Sequence, residues 1–190
     1  LVLGAVLVPS SAIAQQIVNP NLITLMHTFE VDPPSAPPPG AFSLGQATFS
    51  EASTGSGGPG WRLLGGIWAG QGRILTDNAG ISDIRVNFST AMRKAGMLVG
   101  IGDARYDVTF FNGNTALGTV SGSVTGTGAS FFAGWENAGG ITSMVMKELT
   151  ADNGLVGGLD DVRYDVVPEP VSMVVLASGL AAMVARRRRK

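Results

Sequence analysis

What most constrains the fold of this chain is a hydrophobic alternation at every second residue, repeated along its middle. In ISDIRVNFS, Ile84, Val86 and Phe88 alternate with Arg85 and Asn87, so one face is dry and the other wet. In RYDVTFFNG, Tyr106, Val108 and Phe110 alternate with Asp107 and Thr109. Asn112-Gly113 then predicts a hairpin turn, because both residue types tolerate positive φ. TALGTVSGSV reads as the returning strand, and SFFAGW and GITSMVMKE as two more. In LDDVRYDV, Val162, Tyr164 and Val166 are expected to face in, and Asp161, Arg163 and Asp165 out. Strands spaced roughly ten residues apart and separated by Gly, Asn or Asp predict an all-β fold, an antiparallel sandwich or barrel. Before the C-terminal tail no segment sustains a helical period; STAMRKAG, around Arg93-Lys94, has room for a helical turn only.

Upstream the pattern is interrupted. An earlier strand is expected over Leu22–Val31. DPPSAPPPG (32–40) and STGSGGPG (53–60) are too rich in Pro and Gly for regular structure. Glycine supplies 27 of 190 residues, about twice its usual ~7% share, and charged residues only 14%, against ~25% typically. Between Gln15 and Pro168 there are eight Lys or Arg and thirteen Asp or Glu, a net charge of −5. A mildly acidic body argues against nucleic-acid binding, which needs a basic face. There is no cysteine, which excludes disulfides, thiolate metal sites and a Cys nucleophile. The single histidine, His27, argues against a His-based relay or multi-His metal site.

Both ends differ from the middle. Leu1 to Val8 is apolar, and Ala12-Ile13-Ala14 places small residues at the two positions a signal peptidase inspects. Residues 1–14 are expected to be a signal peptide lacking its charged start, with Gln15 as the mature N-terminus. At the other end, residues 171–185 carry no charge and are followed by Arg186, Arg187, Arg188, Arg189 and Lys190. As a helix this run spans about 23 Å, short of the ~30 Å bilayer core. Its apolar members favour insertion by only roughly 3 kcal/mol. The expected result is a single, weakly held transmembrane helix. The cations stay on the cytoplasmic side and residues 15–166 lie outside. Val167-Pro168-Glu169-Pro170 precedes the helix; two prolines keep it out of any ladder, as an extended strip at the membrane surface.

VPEP, a short apolar helix and RRRRK, in that order, resemble the PEP-CTERM sorting signal of Gram-negative bacteria. The resemblance covers residues 167–190. It implies export across the inner membrane, transient anchoring there, and processing near Pro-Glu-Pro by exosortase. Val167, Pro168, Glu169 and Pro170 would be recognition residues in a substrate. Signal peptidase and exosortase are then the processing partners, and the cell surface or an exopolysaccharide-containing extracellular matrix is the destination. The stretch from Ile84 to Tyr164, with its closing DDV strand, is also similar to the jelly-roll-like sandwiches common among such proteins.

Residues for chemistry are few. Gly100-Ile101-Gly102 lacks the third glycine of a nucleotide loop, and Asp77-Asn78 with Asp83 misses EF-hand spacing. Asp160 and Asp161, with Glu30 from the first strand, are candidate ligands for a structural Ca²⁺ if first and last strands are neighbours. Adjacent strand residues point to opposite faces, so both aspartates would need a bulge there. Otherwise no cofactor is expected. Of Trp61, Trp68 and Trp135, Trp61 beside the glycine-rich stretch is the candidate for stacking on a sugar ring; a buried Trp merely fills a core. No carboxylate pair or nucleophile motif selects an active site. The expectation is a non-catalytic surface or matrix protein. An exopolysaccharide-binding module is the alternative and a glycan-active enzyme the third reading.

Overall fold

The fold, obtained as a computed structural model, is described for residues 14–27, 41–52, 61–65, 73–77, 83–100, 103–126, 129–150 and 157–167; for 25–27, 51, 61–65, 73–74 and 77 this covers the backbone only. In chain order the strands are β1 (Gln15–Ile17), β2 (Leu25–His27), β3 (Phe42–Leu44), β4 (Ala47–Glu51), β5 (Trp61–Gly65) and β6 (Arg73–Asp77). They continue with β7 (Ile84–Gly100), β8 (Ala104–Asn112), β9 (Thr115–Val124), β10 (Ser130–Glu148) and β11 (Gly158–Val166). A 3₁₀ turn at Pro20–Leu22 is the one helical element among the described residues. Every strand pair is antiparallel.

Two long strands, β7 and β10, organise everything else. They pair with each other along both halves, but the register breaks between Glu136 and Ile141 and again between Ile141 and Ser143. The first half of β7 lies between β4 and the second half of β10, and β8 and β9 extend this layer: β3-β4-β7-β10-β8-β9. The second half of β7 lies between the first half of β10 and β11 in the other layer, with β1 on β10, and β6 and β2 sharing the far edge of β11. Strands that turn a corner in this way belong to both sheets of a sandwich. Contacts across the interior show that the layers face each other. Phe110 of β8 stacks on Trp135 of β10 at 5.8 Å, and Phe88 of β7 meets Tyr164 of β11 at 5.4 Å.

The alternation seen in the sequence places the core. Ile84, Val86 and Phe88 are buried on β7, and Ala104, Tyr106, Val108 and Phe110 on β8. Past the corner the buried residues of β7 become Ala95, Met97 and Val99, a change of parity. The corner residues Met92 and Ile141 pair with each other and are fully buried. The bend needs glycine. Gly140 has φ +92°, and a Cβ there would lie 2.7 Å from that of Ala91. Asn137 Nδ2 donates to Gly140 O at 2.9 Å, and Asn112 Nδ2 to Gly139 O at 3.0 Å. On β9, Gly118 and Gly122 leave room for aromatic rings of the opposite layer. A Cβ at Gly118 would fall 2.2 Å from the Trp135 ring, and one at Gly122 2.6 Å from Phe131.

The N-terminal segment straps the outer surface of the second layer. It starts as β1 on the edge of β10 and ends as β2 on β11. In between, Arg163 Nη1 donates to Pro20 O at 3.2 Å, Lys94 Nζ to Leu22 O at 3.1 Å, and Thr24 N to Asp165 Oδ1 at 2.8 Å. Ile17 and Ile23 are buried beneath it. At the corner end of this layer Gln15, Glu136, Lys94 and Asp165 lie abreast on four adjacent strands.

Several expectations are corrected. STAMRKAG is strand, because the ladder of β7 runs through it. SFFAGW and GITSMVMKE are one strand, bent at Asn137–Gly140, which sequence spacing shows as a gap. The hairpin between β8 and β9 turns on Gly113-Asn114, one residue later than expected, with Gly113 at φ +56°. Leu22 lies in the 3₁₀ turn, and Val166 is 42% exposed instead of facing in. Strands β3 to β6 lie where no element was expected, and residues 28–31, 32–40 and 53–60 lie outside the described residues. Replacing Gly140 by Ala forces a left-handed conformation on a side chain that also meets Ala91. Gly140→Ala is expected to lower stability by about 2–3 kcal/mol, read as a lower urea midpoint at unchanged m-value.

Candidate functional site: an open polar face

The strap lies across the second layer; among the described residues no segment crosses the outer surface of the first. Its side chains are the wet half of the alternation. Registers align Thr48, Asn87, Ser143 and Phe111 across four strands, and Arg85, Val145 and Thr109 in the next row. Ser143 is buried and the others in these rows are half-buried. Most of these groups satisfy one another. Ser43 and Thr48 hydroxyls are 2.8 Å apart, those of Thr109 and Thr119 2.9 Å, and Ser121 Oγ donates to Asp107 Oδ1 at 2.6 Å. At the centre the Arg85 side chain crosses β10. Its Nη1 donates to Ser143 Oγ at 3.3 Å, and its Cζ lies 5.6 Å from the Phe111 ring centroid. That distance is within cation–π range. Among the described residues Arg85 has no carboxylate within ion-pair distance. Among the described residues the face thus presents a planar cation held by Ser143 and Phe111 and bordered by hydroxyl and amide groups. A guanidinium in this state suits bidentate contact with a carboxylate, and the hydroxyls suit a polyol. Sequence reading took Arg85 as an ordinary wet-face residue and assigned Phe111 nothing. The available signal was the second Phe of TFFNG, an aromatic in the outward phase of its strand.

Asp160 and Asp161 sit at the bulge that their joint use required. The β11–β7 register shifts between Asp160 and Arg163, and Asp161 has φ +47°. The bulge separates their roles. Asp160 is fully buried, whereas Asp161 Oδ2 pairs with Arg163 Nη2 at 3.1 Å. The strand expected over Leu22–Val31 is β2 (Leu25–His27), and it neighbours β11 with His27 opposite Val162; the first strand in the chain, β1, pairs with β10. Glu30 lies outside the described residues, and among those described no three His, Cys, Asp or Glu side chains converge. Trp135 is half-buried and packs against the core, stacked on Phe110. Trp61 belongs to β5, described by its backbone alone, and Trp68 lies outside the described residues. Of the sequence-defined end segments, Ala14 and Val167 are described; Ala12, Pro168, Glu169, Pro170 and Arg186 to Lys190 are not.

A second polar group is structural. Glu148, nearly buried at the end of β10, accepts from Gly157 N at 2.9 Å and so closes the connection into β11. Burial, and then the Glu148 charge, push the Tyr106 phenol above its ordinary value. The folded protein thus keeps a proton that the unfolded chain releases near pH ~10. Tyr106's contribution is complete below that pH and declines as pH rises further, at up to ~1.4 kcal/mol per pH unit. Tyr106→Phe is expected to remove this part of the alkaline loss of stability, measured by denaturation at pH values either side of ~10.

No protein-family model and no curated protein sequence matches the chain. Among solved structures it is similar to the K2 cleaved adhesin domain of Lys-gingipain, with a TM-score of 0.46 and 14% identity, over 75% of this chain and 99% of that one. It is also similar to a family 6 carbohydrate-binding module, with a TM-score of 0.36 and 13% identity, over 62% of this chain and 86% of that one.

Proposed function

We propose that this chain is an exported, non-catalytic protein of the cell surface or extracellular matrix, a jelly-roll-like sandwich carried between two sorting segments. The observation that supports this is the fit of the fold to those segments. Strand β1 opens at Gln15, directly after Ala14, and β11 closes at Val166. Val167 is tied to the body by its N–H, which donates to Ala91 O at 3.4 Å; Pro168 has no amide hydrogen with which to continue. Cleavage after Ala14 and near Pro168–Pro170 would remove no described strand. The body folds outside the inner membrane of a Gram-negative cell, and the tail holds it there until exosortase acts. The intact mass of the protein recovered from producing cells tests this. The expected mass lacks residues 1–14 and about twenty C-terminal residues, as the sorting pattern requires. A full-length C-terminus still held in the membrane of the native host contradicts it.

The Arg85–Phe111 arrangement favours a second reading, a module that binds acidic exopolysaccharide. Arg85 contacts carboxylates of the glycan, and the neighbouring hydroxyls and amides contact its sugar hydroxyls. Under this reading Arg85→Ala weakens binding to polygalacturonate at least about ten-fold, the size of one charge-assisted contact, and leaves neutral dextran unaffected. Trp61→Ala is the matching test of the aromatic chosen from the sequence. Retention by neither polysaccharide, or equal retention of all variants, removes the reading.

A further inference from the structure

Edge strands in natural sheets are kept short, charged or interrupted, because their free backbone groups template pairing with another chain. Four other strands with one unpaired edge among the described residues follow that rule, the three-residue β2 among them. β1 and β3 have three residues each, and β5 has five with Arg62 among them. β9 does not. It has ten residues, TALGTVSGSV, with no charge and no proline, and among the described residues its outer edge pairs with nothing. One bulge, at the Phe110/Phe111 register shift, leaves Gly118 to Val124 as an uninterrupted ladder on β8. Side chains at Thr119, Ser121 and Ser123 are exposed.

We propose that β9 is the docking edge for a second copy of this chain, joined antiparallel about a two-fold axis. The charge distribution selects this occupant. A body with net charge −5 repels its own copies across most faces, but an edge without charge brings no like charges into register. Parity restricts the register. Opposed residues in an antiparallel pair share a face, so the paired residue numbers must sum to an even value for Val120 to continue the dry side. With the axis at Val120, Thr119 of each copy faces Ser121 of the other; with the axis at Thr119 or at Ser121, that residue faces its own copy and the other lies opposite Leu117 or Ser123, respectively. Both copies then use the one long open edge found among their described residues, and the assembly closes as a dimer. The six strands of the first layer run on into those of the second copy. The contact is small, so the dimer is expected to be concentration-dependent.

This proposal does not rest on the sorting route or on glycan binding. The test is sedimentation velocity on the protein as recovered from producing cells, whatever its termini. A monomer–dimer equilibrium is expected. Thr119→Lys with Ser121→Lys should weaken it at least ten-fold while the circular dichroism spectrum stays that of the wild type. Mixing that variant with one carrying Thr119→Glu and Ser121→Glu should restore a mixed dimer. Independently of any variant, amide exchange over residues 118–124 should slow as protein concentration rises. A wild-type protein that stays monomeric at millimolar concentration, or charged variants that pair as well as wild type, would overturn the proposal. So would exchange over 118–124 that ignores concentration.

Discussion

The paired corner of β7 and β10 is the constraint on which the remaining structure depends. Each strand serves two layers, so the Met92–Ile141 pair fixes how far one sheet is folded over the other. The parity change of β7 beyond this point keeps its dry side on the core after the turn. Gly140 permits the bend, and Asn112 and Asn137 supply donors for carbonyls that leave the ladder there. Main-chain groups at a buried corner must find partners, and these amides provide them.

The interior shows a division of labour between glycine and aromatic residues. β9 contributes Gly118, Val120, Gly122 and Val124 to the core side, and Phe131 and Trp135 fill the space above its glycines from the opposite layer. A stacked pair such as Phe110–Trp135 adds about 0.5–1.5 kcal/mol beyond its buried area. The same composition that thickens the core leaves β9 without charged side chains. Core packing and the open edge therefore have one origin in the sequence.

The first half of β7 and the strands from β8 onward were legible because each stretch has one wet and one dry face, which alternation reports directly; the second half of β7, past its change of parity, was not. Ile84, Val86, Phe88, Tyr106, Val108 and Phe110 lie inside as that pattern requires. Strands β1, β3, β5 and β6 were not legible. They have three to five residues, too few to show a period. The bend in β10 was read as a break because ENAGG looks like a loop, although β10 pairs with β7 both before and after it. A bulge at Asp160–Asp161 was the condition set for the two aspartates to act together; the bulge is there, but it turns Asp161 to Arg163 and leaves Asp160 buried. That Arg163 holds the second of them could not be foreseen, since the partner depends on the twist at the bulge itself. The Arg85–Phe111 contact reaches across three strands, so it depends on strand order, which local periodicity does not encode.

The row of Gln15, Glu136, Lys94 and Asp165 has a directional consequence. It brings the first and last strands of the described body out at one rim, about three strand spacings or roughly 14 Å apart. A leash on either terminus therefore holds the same end of the domain. The opposite rim, where Gly100, Ser130 and Gly158 meet, is the part held farthest from the anchoring point.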